Sequence, residues 1–339
     1  MRNGEALNEV KRVNAELGNN SECGMRNAEL LPLRANSEFR IPNSAFPKTL
    51  LVIAGPTASG KTAYSIALAK DLGTVIINAD SRQFYKEMRI GTAVPTPKEL
   101  HEVKHYFIQN ISILDNYDVA QYEQDVLQLL KKLFLKHDQV ILTGGSGLFI
   151  DAVCKGIDPM PDIDVEVRQR VNDLFRDGGL VALQQEVQRL DPEYWAVVDQ
   201  QNPRRLQRAL EVCYQTGNTF TSYRSSKVAQ RDFNIEKYAL LWDRTTLNNR
   251  INRRVEQMLA DGLVDEARRL LPYRHLNALN TVGYKELFDY FDGKCTLSEA
   301  VEQIKLNTRH YAKRQMTWLR KDKEYQWVEM PFAFTSKLI

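Results

Sequence analysis

The residues best suited to chemistry form a glycine-rich stretch of the GxxxxGK[ST] type. It reads Gly55-Pro56-Thr57-Ala58-Ser59-Gly60-Lys61-Thr62. Glycines allow backbone N–H groups to converge on phosphate oxygens, and a helix that starts at the end of such a loop adds about half a positive charge. The lysine supplies a full charge, and the last threonine supplies a hydroxyl group for Mg²⁺. The stretch therefore predicts a site for a phosphate or a diphosphate.

A carboxylate follows the next apolar segment of the chain. Val75-Ile76-Ile77 is typical of a buried strand, and Asp80 comes shortly after it. If the two strands are parallel, Asp80 lies beside the glycine-rich loop, at the edge of the sheet where ligands dock. A carboxylate there can act as a general base or bind magnesium, and the alternative is that it only caps a turn. The nearby phosphate site favours a chemical role.

A third apolar segment ends in glycines. Residues 140–143 lead into Gly144-Gly145-Ser146-Gly147, so this strand lacks the terminal Asp that holds Mg²⁺ in a typical P-loop ATPase. The glycines permit the close approach of a ligand. Ser146 can donate a hydrogen bond to that ligand or cap the helix that follows, and the sequence leaves both roles open.

Two arginines further along the chain could also hold a diphosphate. Arg250 and Arg254 are four residues apart on a predicted helix, so they share one face. Guanidinium groups on one face can bind phosphate oxygens in pairs. The alternative is a solvated or salt-bridged helix face. The spacing does not decide which of Arg250, Arg253 and Arg254 would meet the diphosphate.

Strands and helices alternate in the part of the chain that must position these residues. Strands are predicted at residues 50–54, 75–77 and 140–143, and helices at residues 61–72 and 119–136. Such alternation predicts an α/β fold, with a P-loop NTPase-like parallel sheet that is flanked by helices.

A mainly helical region interrupts this alternation. Helical periodicity recurs in three runs, at residues 165–176, 180–190 and 203–216. The chain then continues with a strand and two long helical runs, at residues 238–242, 247–271 and 297–320. We therefore expect a catalytic core of residues 48–157 and 230–330 with an inserted all-helical domain at residues 158–229. Residues 1–47 are rich in Asn and charged side chains and are expected to form a disordered leader.

Charge is distributed unevenly, although the formal net charge is only +3. Residues 151–199 hold eleven acidic and five basic residues, whereas residues 204–254 hold eleven basic and four acidic ones. Residues 305–323 add seven basic residues against one acid. This asymmetry predicts an anionic partner for the second half of the chain, and two solvated helix faces are the alternative.

Composition bounds the class of protein and its location. At 43% hydrophobic and 26% charged, the 339 residues exclude collagen-like, coiled-coil and fully disordered chains. No apolar run reaches the roughly 18–20 residues that span a bilayer, so we expect no membrane partner. The first 47 residues lack the apolar core of a signal peptide, and the four cysteines show no CxxC pairing. A cytoplasmic protein without disulfides or zinc is therefore expected.

Taken together, the motifs resemble those of the bacterial tRNA dimethylallyltransferases, also called the IPP transferase family. The similar segments are the glycine-rich loop, Asp80-Ser81-Arg82-Gln83, the Gly-Gly-Ser-Gly turn, Asn202-Pro203-Arg204-Arg205-Leu206-Gln207-Arg208-Ala209-Leu210-Glu211, Val282-Gly283-Tyr284-Lys285-Glu286 and Ala312-Lys313-Arg314-Gln315-Met316-Thr317-Trp318-Leu319-Arg320. P-loop kinases share only the first of these segments.

The resemblance implies a reaction and its partners. A dimethylallyl group would pass from dimethylallyl diphosphate to N6 of the adenosine just 3′ of the anticodon, in tRNAs that read codons beginning with U. The glycine-rich loop would hold the diphosphate of this donor, and no nucleotide would be hydrolysed. The implied partners are dimethylallyl diphosphate and the tRNA anticodon stem-loop, the implied cofactor is Mg²⁺ bound through Thr62, and a monomer is expected.

The resemblance also implies roles for individual residues. Asp80 would accept the N6 proton, with Lys61 and Ser146 as further catalytic residues, and Arg254 would join the glycine-rich loop in binding diphosphate. The residues implied in tRNA contact are Asp80, Ser81, Arg82, Gln83, Ser146, Arg168, Arg204, Arg205, Leu206, Gln207, Arg208, Asn280, Thr281, Val282, Gly283, Tyr284, Lys285, Lys313, Arg314, Trp318 and Arg320. Ser146 stands where the family often has Thr, and Asn280-Thr281 replaces a pair that often contains Arg.

Three other functions share part of this pattern. A small-molecule P-loop kinase would use Asp80 as a base on a substrate hydroxyl, but it needs no basic helical half. An isopentenyltransferase acting on free adenylate would share the fold and the donor, whereas the two basic segments favour a polynucleotide acceptor. A P-loop protein that binds RNA without catalysis leaves Asp80 unexplained.

Overall fold

A six-stranded parallel sheet lies at the centre of the described structure. The computed structural model of the chain describes residues 47–225 and 228–331, so the predicted leader lies outside the described residues except for Pro47. The strands are β1 (Thr49–Ala54), β2 (Ile76–Asn78), β3 (His105–Tyr106), β4 (Gln139–Gly144), β5 (Asn234–Leu241) and β6 (Tyr325–Glu329). Their order across the sheet is β3-β2-β4-β1-β5-β6, and each neighbouring pair is parallel. The predicted P-loop NTPase-like α/β fold is confirmed.

Helices connect and cover these strands. In chain order they are α1 (Lys61–Leu72), α2 (Pro97–Glu102), α3 (Val119–Leu133), α4 (Gly147–Lys155), α5 (Val165–Leu190), α6 (Pro192–Val197), α7 (Pro203–Thr216), α8 (Arg244–Ala260), α9 (Leu263–Leu270), α10 (Tyr284–Phe291) and α11 (Leu297–Lys321). None of the helices in the described part of the chain combines the length and apolar character needed to cross a bilayer.

Strand β1 lies between β4 and β5 and is buried along its whole length. Leu50 and Val52 belong to the apolar cluster on one face of the sheet, whereas Leu51 and Ile53 belong to the cluster on the other face. A strand that is covered on both faces has no polar side, which explains the unbroken apolar run in the sequence. Because β1, β2 and β4 are parallel neighbours, the segments that follow them all emerge at one edge of the sheet.

The helical region between β4 and β5 has an apolar cluster of its own. Side chains from α5, α6 and α7 form it, among them Val171, Leu183 and Leu206. Helix α5 is interrupted at Gly179, whose φ of 63° and ψ of −158° are non-helical and are accessible mainly to glycine. The two separate runs that the sequence predicts here are therefore confirmed, with the break at Gly179.

Two strands were not predicted from the sequence. β3 is only two residues long, too short for periodicity to reveal. β6 lies at the edge of the sheet beside β5, and Tyr325 is its only buried residue. An edge strand that is largely exposed carries a mixed polar pattern, which is why the C-terminal part of the chain reads as helical throughout.

Candidate active site

The glycine-rich loop makes a tight turn between β1 and α1. Gly60, which directly precedes α1, has a left-handed backbone with φ of 89°, a conformation that glycine adopts without strain. Gly55 is crowded instead, because a Cβ there would lie 2.8 Å from Ser59 Oγ and 3.3 Å from Leu240 Cβ. The loop thus has the strand–turn–helix setting that a phosphate-binding loop requires.

The ammonium group of Lys61 is folded back onto this loop. Its Nζ donates hydrogen bonds to the carbonyl oxygens of Gly55 at 2.9 Å and Pro56 at 2.8 Å. Burial lowers the pKa of Lys61 to about 8, the negative charge of Asp80 opposes this shift, and the positive charge of Arg254 adds to it. Lys61 therefore loses its proton more readily than an exposed lysine.

The lowered pKa of Lys61 predicts that diphosphate binding weakens as the pH rises. In the free protein Lys61 is fully charged only below its pKa of about 8. A bound diphosphate stabilises the ammonium form and raises this pKa, so binding takes up a proton above pH 8. We expect the Kd for inorganic diphosphate to increase from pH 7 to pH 9.5, measured by calorimetric titration at a fixed Mg²⁺ concentration.

Lys61→Arg is the control for this titration, because a guanidinium group stays charged across the whole range. The ionisation of diphosphate affects both proteins equally. The Kd of this variant should therefore rise less steeply with pH than the Kd of the unchanged protein. Parallel pH profiles for the two proteins would show that Lys61 is not the titrating group.

Asp80 lies in the turn that follows β2, beside the glycines that end β4. Its Oδ1 accepts a hydrogen bond from the backbone N–H of Arg82 at 3.1 Å, so it does cap this turn. The two segments approach closely: a Cβ on Gly144 would lie 2.4 Å from the carbonyl carbon of Ala79, and one on Gly145 would lie 3.7 Å from Asp80 Oδ2. The turn therefore uses only the Oδ1 atom of Asp80. The Asp80 side chain also lines the two cavities described below.

The side chain of Ser146 does not cap the helix that it precedes. Its Oγ accepts a hydrogen bond from the backbone N–H of Ser81 at 3.0 Å and lies 3.0 Å from Ser81 Oγ. It also contacts the hydroxyl group of Tyr311. Ser146 thus fixes the segment that follows Asp80 against the start of α4, a position that sequence reasoning did not foresee.

Two cavities meet at Asp80. The smaller has a volume of about 120 Å³ and contains most of the glycine-rich loop in its wall, including Lys61 and Thr62. The larger has a volume of about 490 Å³ and extends between α8, α11 and the segment before α10. Both are lined by Thr57, Asp80, Thr92, Arg254 and Tyr311. The predicted phosphate site and the larger space therefore adjoin, and Asp80 lies in the wall of both.

The three candidate arginines have different surroundings. Arg254 lines both cavities, and burial lowers its pKa while the charge of Asp80 opposes that shift. Arg253 is exposed. Arg250 Nε donates a hydrogen bond to the carbonyl oxygen of Ala58 at 2.8 Å. Of the three, Arg254 is therefore the one that faces the space beside the loop.

Arg250 and Trp242 together hold the outer side of the loop. The guanidinium carbon of Arg250 lies 4.5 Å from the centre of the Trp242 ring, a cation–π distance. Trp242 Nε1 donates a hydrogen bond to the carbonyl oxygen of Ser59 at 2.8 Å. The pair binds two consecutive carbonyl groups of the loop, which fixes the orientation of the peptide units that form it. Trp242 has no sequence pattern that marks it for this role.

Gln315 holds the inner side of the loop. It is 8% exposed, its Oε1 accepts a hydrogen bond from the backbone N–H of Thr57 at 2.8 Å, and its Nε2 donates to the carbonyl oxygen of Gly145 at 2.8 Å. Gln315 belongs to the segment Ala312–Arg320, for which the family resemblance implies no role at this position. Its partners are 258 and 170 residues away in the chain, so no local pattern could reveal the contact.

Many of the residues implied in tRNA contact lie around the larger cavity. Those that line it, besides Asp80, are Ser81, Arg82, Asn280, Thr281, Val282, Gly283, Lys285 and Arg314, and Gln83 lines the smaller cavity. Arg82 Nη1 also donates to the carbonyl oxygens of Asn277 and Ala278, at 2.9 and 3.1 Å. Tyr284 is buried, and its hydroxyl donates to Glu266 Oε1 at 2.7 Å.

The remaining implied residues lie on helices away from these cavities. On α7, Arg204 and Arg205 are exposed and Arg208 is paired with Glu211 at 3.3 Å, whereas the side chains of Leu206 and Gln207 are buried. Three more of the residues implied in tRNA contact are exposed on other helices, namely Arg168 on α5 and Lys313 and Arg320 on α11. Trp318 is half-buried and its Nε1 donates to Asp151 Oδ2 at 3.1 Å.

A third cavity connects α7 with the segment before α10. It has a volume of about 460 Å³, and Arg204, His275, Asn280 and Lys285 are among the residues that line it. Residues that are far apart in the sequence thus form one basic surface.

The family is identified by comparison with known proteins. The family model described as "IPP transferase" matches residues 83–322. The tRNA dimethylallyltransferase 1 of Bacteroides thetaiotaomicron is 50% identical over 279 residues, which cover 82% of this chain and 91% of that protein. The protein of the same name from Phocaeicola vulgatus is 51% identical over 281 residues, which cover 83% of this chain and 94% of that protein.

A solved structure agrees with these sequence relatives. The full-length tRNA isopentenylpyrophosphate transferase from Bacillus halodurans is 35% identical and matches with a TM-score of 0.62, over 84% of this chain and 90% of that one. The residues that the family model matches include Arg254 on α8 and Gln315 on α11. The chain belongs to the IPP transferase family.

Proposed function

We propose that the protein transfers a dimethylallyl group from dimethylallyl diphosphate to N6 of the adenosine just 3′ of the anticodon, in tRNAs that read codons beginning with U, and releases diphosphate. One observation carries this proposal: the cavity at the glycine-rich loop adjoins a cavity of about 490 Å³, and both have Asp80 and Arg254 in their walls. That volume lies within the roughly 300–1,000 Å³ of ligand sites and can hold a purine beside a five-carbon chain.

The glycine-rich loop, Lys61 and Arg254 are proposed to stabilise the departing diphosphate. An allylic carbon tolerates positive charge, so the larger demand is the negative charge that develops on the leaving group. Lys61 and Arg254 place two cations at the small cavity, and the backbone N–H groups of the loop are fixed before the reaction starts. Such preorganised donors and charges act on the transition state without a cost of reorganisation.

The residues at the small cavity fit a magnesium ion that is bound mainly by its substrate. Mg²⁺ prefers oxygen ligands, keeps several waters and is commonly held by one or two protein groups together with substrate phosphates. Thr62 and Asp80 line the cavity, whereas the described residues hold no cluster of three His, Cys, Asp or Glu side chains suited to a metal. Thr62 would hold the ion, which would neutralise charge on the diphosphate.

Asp80 is proposed to accept the N6 proton of the adenosine. The amine of adenine is a weak nucleophile because its lone pair is delocalised into the ring. Removal of a proton as the new bond forms offsets this weakness, an effect typically worth about 10²–10⁴-fold. Asp80 lines both cavities, which supports a carboxylate that borders both the diphosphate and the acceptor in the proposed reaction. The adenosine would have to leave its stack, which costs least in a loop.

Exposed basic residues are proposed to contact the tRNA backbone. Arg204 on α7 and Arg314 on α11 each line a cavity whose wall also includes Asn280 and Lys285. We propose that residues 158–229 form a tRNA-binding insertion in a core of residues 48–157 and 230–330. The buried Leu206, Gln207 and Tyr284 would support this surface from beneath. Action as a monomer in the cytoplasm stays a prediction.

Replacing Arg205 with Ala should weaken tRNA binding and reduce its dependence on salt. Arg205 is exposed on α7, next to Arg204 at the basic cavity. Each phosphate contact that is lost lowers the slope of log K against log salt concentration by about 1. Binding curves at several salt concentrations measure this slope.

Arg189→Ala serves as the control, because the guanidinium group of Arg189 already pairs with Glu186 at 2.6 Å in the acidic part of the helical region. Its slope should match that of the unchanged protein. If Arg205→Ala gives the same slope as well, Arg205 does not contact a phosphate.

A labelling experiment tests the proposed reaction. The protein is incubated with dimethylallyl diphosphate labelled in its isoprenoid part, and separately with γ-labelled ATP, each with tRNA and with AMP as acceptors. Isoprenoid label should enter tRNA alone. Label in AMP would instead favour an adenylate isopentenyltransferase, and label passing from ATP to a small molecule would favour a kinase.

A further inference from the structure

The side-chain amide of Gln315 connects the two loops between which the proposed reaction takes place. Its oxygen accepts the hydrogen bond of the Thr57 N–H in the glycine-rich loop, and its nitrogen donates to the Gly145 carbonyl group in the turn after β4. Both distances are 2.8 Å, and the side chain is 8% exposed. The amide is therefore satisfied at both ends and shielded from water.

Hydrogen bonds also connect the turn after β4, which Gln315 contacts, to the segment that carries Asp80. The backbone N–H of Ser146 donates to the carbonyl oxygen of Ala79 at 3.3 Å, and Ser146 Oγ accepts from the N–H of Ser81 at 3.0 Å. Asp80 lies between these two anchored residues. A continuous set of hydrogen bonds thus runs from the diphosphate loop through Gln315 to both sides of the carboxylate.

We propose that Gln315 is a positioning residue that fixes the diphosphate-binding loop relative to the turn beside Asp80. The inference rests on the proposed function for the identity of the donor, but the contact itself concerns any diphosphate in the loop. With the amide in place, the leaving group and the carboxylate are held at one separation. Without it, the Thr57 N–H loses its fixed orientation and the loop can move away from the turn.

The chemistry of the site requires an amide rather than another side chain of the same size. The glutamine amide donates a hydrogen bond through its nitrogen and accepts one through its oxygen, whereas Glu and Met of similar size cannot do both when Glu is ionised. A carboxylate at position 315 would face the Gly145 carbonyl oxygen with a second acceptor and place a negative charge beside the diphosphate. A methionine would fill the space but make neither bond.

Binding of inorganic diphosphate with Mg²⁺ to the full chain tests the proposal. Gln315→Met should raise the Kd for inorganic diphosphate about tenfold or more, because two partly buried backbone groups lose their partner. Gln315→Glu should raise it further, through the added negative charge. The Kd for tRNA without donor should stay within about twofold of the unchanged protein, since the tRNA-facing side chains of α11 are untouched.

Thr317→Ala is the matched control on the same helix. Thr317 is exposed, and its hydroxyl donates only to the backbone of its own helix, to the Lys313 carbonyl oxygen at 3.0 Å. Its Kd values for diphosphate and tRNA should both stay within about twofold. Retained tRNA binding in the Gln315 variants shows that they are folded, so a change confined to diphosphate reports on position rather than on stability.

The proposal would be overturned if diphosphate binding were unchanged in both Gln315→Met and Gln315→Glu. It would also be overturned if both variants lost diphosphate binding and tRNA binding equally. These binding measurements do not depend on whether the protein carries out the transfer reaction. If the unchanged protein binds diphosphate and fails to modify tRNA, the proposed function is wrong, while the role of Gln315 is still decided by the binding data.

Discussion

Transfer of the dimethylallyl group to tRNA should fall by about 10²- to 10⁴-fold when Asp80 is replaced with Asn, the range that the loss of a general base produces. Asn keeps the size of Asp and retains an oxygen that can accept the hydrogen bond from the Arg82 N–H, so the turn after β2 should persist. What it loses is the ability to accept the N6 proton. Single-turnover rates with saturating donor and tRNA isolate this chemical step.

The same Asp80→Asn protein should bind tRNA and inorganic diphosphate nearly as well as the unchanged chain. Asp80→Ala, which also removes the capping oxygen, is the harsher comparison and should be no more active. A rate within a few-fold of normal for Asp80→Asn, together with normal binding, would remove Asp80 from the role of base and leave it as a turn cap only.

Replacing Arg254 with Gln should lower kcat/KM for dimethylallyl diphosphate by about 10²–10³-fold, as the loss of one preorganised group that stabilises developing charge does. Arg254 is half-buried and lines both cavities, and its positive charge acts on both Lys61 and Asp80. Its removal leaves Lys61 as the remaining side-chain cation at the small cavity among the described residues. Steady-state kinetics with varied donor concentration measure the effect.

Arg253→Gln is the control for this substitution, because it removes the same charge from the neighbouring residue of the same helix. Arg253 is exposed and lines none of the three cavities described above. Its kcat/KM for the donor should be nearly normal. Equal losses in the two variants would mean that the net charge of α8 matters rather than the position of Arg254.

The central part of the fold could be predicted because its causes are local. The runs at the centres of β1, β2 and β4 are apolar, and a glycine-rich loop separates β1 from the first helix, which begins at Lys61 as predicted. Such patterns are visible within ten or twenty residues. The edge strands differ, because β6 has one buried residue and its pairing with β5 depends on the folded sheet rather than on its own sequence.

The candidate site was only partly predictable, for the same reason. The sequence placed Asp80 beside the glycine-rich loop once a parallel sheet was assumed, and the structure brings them to one cavity. The residues that hold the loop could not be foreseen. The sequence makes Arg250 a candidate diphosphate ligand, yet its Nε donates to the Ala58 carbonyl oxygen, 192 residues away in the chain. Its spacing from Arg254 was visible, but not its partner.

The contact between Thr57 and Gln315 forms late during synthesis of the chain. The loop motif leaves the ribosome early, whereas the glutamine that steadies it is made 258 residues later. At the usual pace of translation that interval is on the order of tens of seconds. A nascent chain would thus carry the glycine-rich loop long before Gln315 can bond to it, and the proposed positioning would begin only when α11 packs against the loop.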